Sequence, residues 1–186
     1  MGCSDSRWSI PTAASLLDEH DFDLDEYEPL IRERGFYFTE HVGDHYYNRY
    51  PFGASILAAP AVLVLRPVAS EVFSRWPSWR ASMRSAQWER GCPPANGEPV
   101  IDLHSWTEQI TASGIVALTA VLLYAIARAE LPVTGALAVA LIFAFGTSAW
   151  STASRSLWQH GPSMLMLTAA IYVQRRGTWL LLAGIA

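Results

Sequence analysis

The sequence predicts an all-α fold: a polytopic membrane helix bundle preceded by a long exoplasmic loop that carries interfacial helices. Three observations predict it. Of 186 residues, 51% are hydrophobic and only 16% charged, whereas an ordinary globular domain is about a quarter charged. The deficit is uneven, because charges are frequent up to Arg90 and nearly vanish from Gln109 onward. The back half then divides into uncharged stretches joined by short loops, and a bilayer core asks for about 20 apolar residues of helix. Buried helices of a soluble protein are apolar too, but three in succession would leave little polar surface. A formal net charge of −4 argues against nucleic acid as a partner. Cys3 and Cys92, the two cysteines, give neither a disulfide framework nor a zinc spacing.

The elements follow in order, with residues 1–107 as the exoplasmic loop and 108–186 as the spanning part. The start, MGCSDSRW, fits an acylation pattern through Gly2 and Ser6, with Cys3 as a second site. It equally fits the end of a transmembrane helix lying before Met1, and spanning helices make a lipid anchor redundant. Thr12 then caps a helix whose Ala13, Leu16 and Leu17 share a face and which ends near His20. The acidic run with Asp21, Asp23, Asp25, Glu26 and Glu28 has no glycine in EF-hand register, so it reads as a solvated loop. Phe36 and Phe38, the turn Val42-Gly43-Asp44-His45 and the return Tyr46-Tyr47 predict a short hairpin. Residues 52–66 are apolar but short for a span and interrupted by Pro60, which suits an interfacial or re-entrant helix. Residues 71–88, with Trp76, Trp79 and Trp88 among arginines, read as a second interfacial helix.

Spanning helices are expected at about 109–128, 132–152, 160–174 and 178–186, the last cut off before it could cross. Arg128 closes the first and Arg175-Arg176 the third, so both loops are expected on the cytoplasmic side. Parity then puts residues 150–162, and everything before Gln109, on the exoplasmic face. A crossing at 52–66 would flip whatever lies upstream of it.

Three clusters carry candidate chemistry: Asp5 with Arg7 and Trp8; Tyr46, Tyr47, Arg49 and Tyr50; and Arg155, Gln159 and His160 between two spans. All fall on the exoplasmic side. Arg and His beside a bilayer are costly without a use. Arginines just outside the lipid hold phosphate without losing charge. A carboxylate deprotonates an acceptor hydroxyl, and the rings of Trp8, Tyr46 and Tyr50 can stack on sugars. Transporters place such groups at the bilayer midplane, so their position at the edge favours an interfacial enzyme over a transport or polymer-assembly subunit.

On these residues the chain resembles membrane glycosyltransferases of the GT-C class, which use polyprenyl-phosphate sugars. It is most similar to bacterial relatives of protein mannosyltransferases and of the lipid A aminoarabinose transferase. Asp5-Ser6-Arg7-Trp8 stands where that class has an Asp or Asp-Glu after its first helix, with Ser6 in place of a second acid, which leaves a divalent-metal requirement open. Residues 46–51 resemble the class's aromatic-basic-Pro motif, and 147–162 its second exoplasmic loop. The resemblance implies Asp5 as general base and Arg49 and Arg155 on the lipid phosphate. Arg7, Trp8, Tyr46, Tyr47, Gln159 and His160 would be further substrate contacts. It implies a polyprenyl-phosphate sugar donor, an acceptor at the exoplasmic face of a bacterial inner membrane, and an inverting transfer. It also implies more helices than this chain carries, so the 186 residues alone are expected to be inactive.

Overall fold

The computed structural model describes residues 6–34, 38–78 and 99–177, with backbone alone at 33–34, 73 and 99–105. Helix α1 (Ser9–Asp18) begins three residues before the expected Thr12 cap. Thr12 lies inside the helix, and its hydroxyl donates to the Trp8 carbonyl at 2.7 Å. The end is near the expected place. His20 takes a left-handed φ of 66°, and its amide and that of Glu19 both donate to the Ser15 carbonyl, as a left-handed helix cap requires.

The acidic run is more ordered than a solvated loop. It forms a 3-10 turn (Asp25–Tyr27) and α2 (Glu28–Arg34), with Pro29 in the first turn, where its missing N–H costs nothing. Strands β1 (Thr39–Val42) and β2 (His45–Asn48) pair antiparallel, Val42 opposite His45. Gly43 at φ 65° makes the two-residue turn, a conformation that suits glycine. Trp8, Leu24, Leu30, Ile31 and Tyr46 close into a small core beneath this hairpin, and the Leu24 amide donates to the Tyr46 carbonyl at 2.7 Å.

Helix α3 (Gly53–Arg75) runs through Pro60 and Pro67 without a break. The expected helix at 52–66 is therefore longer, at about 34 Å, and absorbs the start of the expected 71–88 helix; residues 79–88 lie outside the described part. Helix α4 (Pro99–Ala127) starts ten residues earlier than the span expected at 109. Helix α5 (Val133–Gly146) is shorter than the expected 132–152, because a π-helical turn (Ala149–Ala153) follows it. Helix α6 (His160–Arg175) matches its expected position, and the expected segment 178–186 is outside the described residues. Two of these helices contain stretches long and apolar enough to cross a membrane, Gly53–Val72 in α3 and Trp106–Ala127 in α4. At 14 and 16 residues, α5 and α6 reach only about 21 and 24 Å.

The larger core joins α1, α3, α4 and α6 through small residues. Ile10, Ala13 and Ala14 meet Ala54, Ala58, Ala59 and Val62, with Ala112, Ile115, Leu157 and Leu165 closing the cluster. Alanines let the backbones approach closely, as in membrane bundles. The large apolar side chains point the other way: Leu63 and Val64 on α3, Leu118 and Val121 on α4, Ile142 and Phe145 on α5, Leu167 on α6. Hydroxyls within the apolar helices donate back to carbonyls four residues earlier, as Thr119 does to Ile115 and Thr168 to Met164, which satisfies them without water.

Candidate functional site

One cleft of about 90 Å³ is lined by Ser6, Ser9, Tyr50, Pro51, Ala54, Leu157, Trp158, Gln159 and His160, room for roughly three waters or a small polar group. Three chain segments far apart in sequence form it. The N-terminal segment is delivered by α1, whose first turn packs on α3. Tyr50 and Pro51 arrive from the exit of β2, where the Tyr50 amide donates to the Asn48 side chain at 3.1 Å. Gln159 and His160 sit at the N-terminus of α6, where the loop from α5 returns.

The expected site residues divide accordingly. Gln159 and His160 are exposed and line the cleft. Arg49 and Arg155 are exposed and stand one and two residues from the lining positions Tyr50 and Leu157. Arg7 is half-buried beside the lining residue Ser6, its guanidinium 5.4 Å from the centre of the Trp8 ring. Asp5 lies outside the described residues. Trp8 and Tyr46, expected to stack on a sugar, are instead core residues, 2% and 5% exposed. Trp8 packs near Tyr27 and Tyr46 against His41, because the hairpin has few other large apolar groups with which to close its own core. Tyr47 is half-buried next to His45 and lines no part of the cleft. The aromatic rings that do border the cleft are Tyr50 and Trp158. The Trp158 indole nitrogen is buried with no acceptor among the described residues.

Sequence reasoning missed Glu108. It is 4% exposed, and its Oε1 accepts from the Ser6 hydroxyl at 2.5 Å and from the Leu157 amide at 2.9 Å. The signal was present as a lone carboxylate directly before a long uncharged run, which the span boundary at 109 set aside.

A second group of polar residues lies on the hairpin side. The Nδ1 atom of His45 is 2.6 Å from Asp25 and 3.5 Å from Asp23, and these three side chains could hold a cation, as could Glu19, Asp23 and Glu26. Asp25 also accepts from the Tyr46 amide at 2.8 Å. Partial burial pushes the Asp25 carboxyl up, but the Tyr46 amide and His45 outweigh it and hold the group below its ordinary value. The same pairing raises His45. Glu26 is pushed up to about 7 by desolvation and by the charges of Glu19, Asp23 and Asp21.

At the opposite ends of α4 and α6, Arg128, Arg175 and Arg176 line a second cavity with Tyr172; the Arg176 guanidinium lies 5.1 Å from the Tyr172 ring centre, and Arg175 pairs with Glu130 at 3.2 Å. Fold and site together define a class: a mostly helical protein with, among the described residues, two helices long and apolar enough to cross a membrane, a cleft of mixed polarity near the start of α6 and a basic cluster at the far ends of α4 and α6. No family model, curated protein or solved structure matches the chain.

Proposed function

We propose that this chain belongs to an integral membrane glycosyltransferase that takes a sugar from a polyprenyl-phosphate donor at the exoplasmic face. The observation that carries the reading is the convergence of three separate polar segments on one cleft at one end of the apolar helices. Outward Leu, Ile, Val and Phe side chains on α3 to α6 would face lipid, since a water-facing surface of that kind is an aggregation liability. The arginine cluster at the far end of α4 and α6 agrees with a cytoplasmic side there.

Helix α3 is read as lying at the interface, despite its length. Arg66, more than halfway along it, pairs at 2.5 Å with Asp18, both about half exposed. A spanning α3 would draw that pair, with Glu19 beside it, into hydrocarbon, where charge is costly. At the interface the pair stays wet, and the apolar outer face that includes Ile56, Leu63 and Val64 enters the lipid boundary.

In this reading Asp5 takes the proton of the acceptor hydroxyl as its oxygen attacks the anomeric carbon. The bond from that carbon to the phosphate oxygen breaks, and the polyprenyl phosphate leaves with the electron pair, steadied by Arg49 and Arg155. Gln159 and His160, both exposed, orient the reactants at the mouth of the cleft, which admits only a small polar group of either one, and Tyr50 borders it in place of Trp8 and Tyr46.

The test uses membranes from cells making the full protein that carries this chain, supplied with a polyprenyl-phosphate sugar. Release of polyprenyl phosphate is expected, with Asp5→Asn abolishing it and His160→Ala lowering it about a hundredfold, the usual scale for one positioned catalytic group. No release by the parent protein would sink the transferase reading. Normal release by Asp5→Asn would sink the assigned base.

A further inference from the structure

Glu108 is a buried ionisable group that the proposed chemistry leaves unused, and its placement is unusual. It sits four residues before Ala112, where α4 is locked into the larger core beside α1 and α3. From that fixed point one carboxylate oxygen reaches two segments of chain, 102 and 49 residues away in sequence. Ser6 is the neighbour of Asp5 and Arg7, and Leu157 precedes Trp158, Gln159 and His160. Ser6 and Leu157 both line the cleft. A carboxylate so enclosed is expensive to bury, and a well-packed apolar side chain would often be no worse for stability. What an apolar side chain could not do is accept from both segments at once.

We infer that Glu108 is the positioning residue of the cleft, holding the N-terminal segment and the α5–α6 loop in register with each other on α4. The two bonds it accepts are buried, and breaking either strands a polar group away from water. They converge on one atom, so release of one segment alters the hold on the other. Ser113, a turn further along α4, also ties the loop through its hydroxyl to the Ser154 carbonyl at 2.9 Å, but it touches only that segment. The two side chains thus separate coupling from simple anchoring.

The experiment reads accessibility and so does not depend on activity. In the full protein with Cys3 and Cys92 replaced by serine, single cysteines are placed at Ser9, Ser156 and, as a remote control, Ala136, all buried. Labelling by a polar maleimide is then timed in detergent solution, where the reagent reaches both ends of the helices. Glu108→Ala is expected to raise the rates at Ser9→Cys and Ser156→Cys about tenfold, through local opening, and to leave Ala136→Cys unchanged. Glu108→Gln keeps an oxygen that accepts both bonds and should restore both rates to within about threefold of the parent. Ser113→Ala should move only Ser156→Cys. Should Glu108→Ala fail to fold, Glu108→Asp, one methylene shorter, is expected to raise both rates about threefold, the same local opening in weaker form. Unchanged rates, a response at one site alone, or an equal rise at Ala136→Cys would each overturn the inference. The consequence for catalysis rests on the transferase reading: turnover should fall about tenfold in Glu108→Ala and recover in Glu108→Gln, as for other supporting residues. A parent protein without transfer would remove that reading and leave the labelling result to decide the role of Glu108.

Discussion

Around the hairpin, Leu24 and Ile31 are fully enclosed while Glu40, His41 and Asp44 face outward. On α5 the order is reversed: Ala136 and Ala140 are enclosed, and Leu137, Ile142 and Phe145 face outward. The first region is built as a protein in water is built, with its large side chains inside. The second spends small residues on helix contacts and turns its large ones out, the pattern expected where the surroundings are as apolar as leucine itself. The same side chain should therefore matter in opposite ways in the two regions.

The largest effect is expected in the hairpin region. Leu24→Ala removes a fully enclosed side chain and should destabilise that region by about 3–5 kcal/mol, read as faster hydrogen exchange of the Leu24 amide that bonds Tyr46. Ile142→Ala, on a residue 64% exposed, should change stability in detergent by no more than about 0.5 kcal/mol. Comparable losses at the two positions would mean that α5 has a packed partner on its outer face.

Next in size is the effect of charge. Ile142→Lys should raise the cost of membrane insertion by about 2.5–3.5 kcal/mol, seen as a lower fraction resisting alkaline extraction. Val42→Lys, at an exposed position on the hairpin, should leave that fraction as it was. Equal extraction of Ile142→Lys and parent would show that this face does not meet lipid.

Much of this division was legible in the sequence, because charge and apolar run length act locally. The hairpin turn was legible too, since a two-residue turn with Gly43 leaves few alternatives. Helix ends were less so. Pro60 reads as a breaker, yet α3 passes through it, because packing of Ala54, Ala58, Ala59 and Val62 against α1 and α4 fixes the helix on both sides. The candidate site was legible only in part, because the burial of Trp8 and Tyr46 has no local signature. An aromatic beside an arginine looks alike in sequence whether it faces a ligand or fills a core; long-range packing alone decides. Glu108 escaped because its two partners are remote, and nothing local in the sequence announces a contact with Ser6.

The smallest effect should come from the Asp25–His45 pair, and it sharpens the comparison because it needs water. His45 is raised above its ordinary 6.5 mainly by the hydrogen bond with Asp25, so its contribution is full below that value and fades as pH rises through the higher folded value. Asp25 is lowered from 3.8, so its contribution is full above 3.8 and fades as pH falls through the lower folded value. The pair should therefore hold the 3-10 turn to β2 best between those two ordinary values. Asp25→Asn keeps an oxygen for the Tyr46 amide but loses the charge, and should lower the His45 titration, followed by NMR, toward its ordinary value, with Asp23 and Asp44 retaining part of the rise. High salt should shift the parent the same way, since exposed pairs are screened. A His45 titration unmoved by Asp25→Asn would mean that the two are neighbours without being partners, and that the hairpin is held by its core and its amides alone.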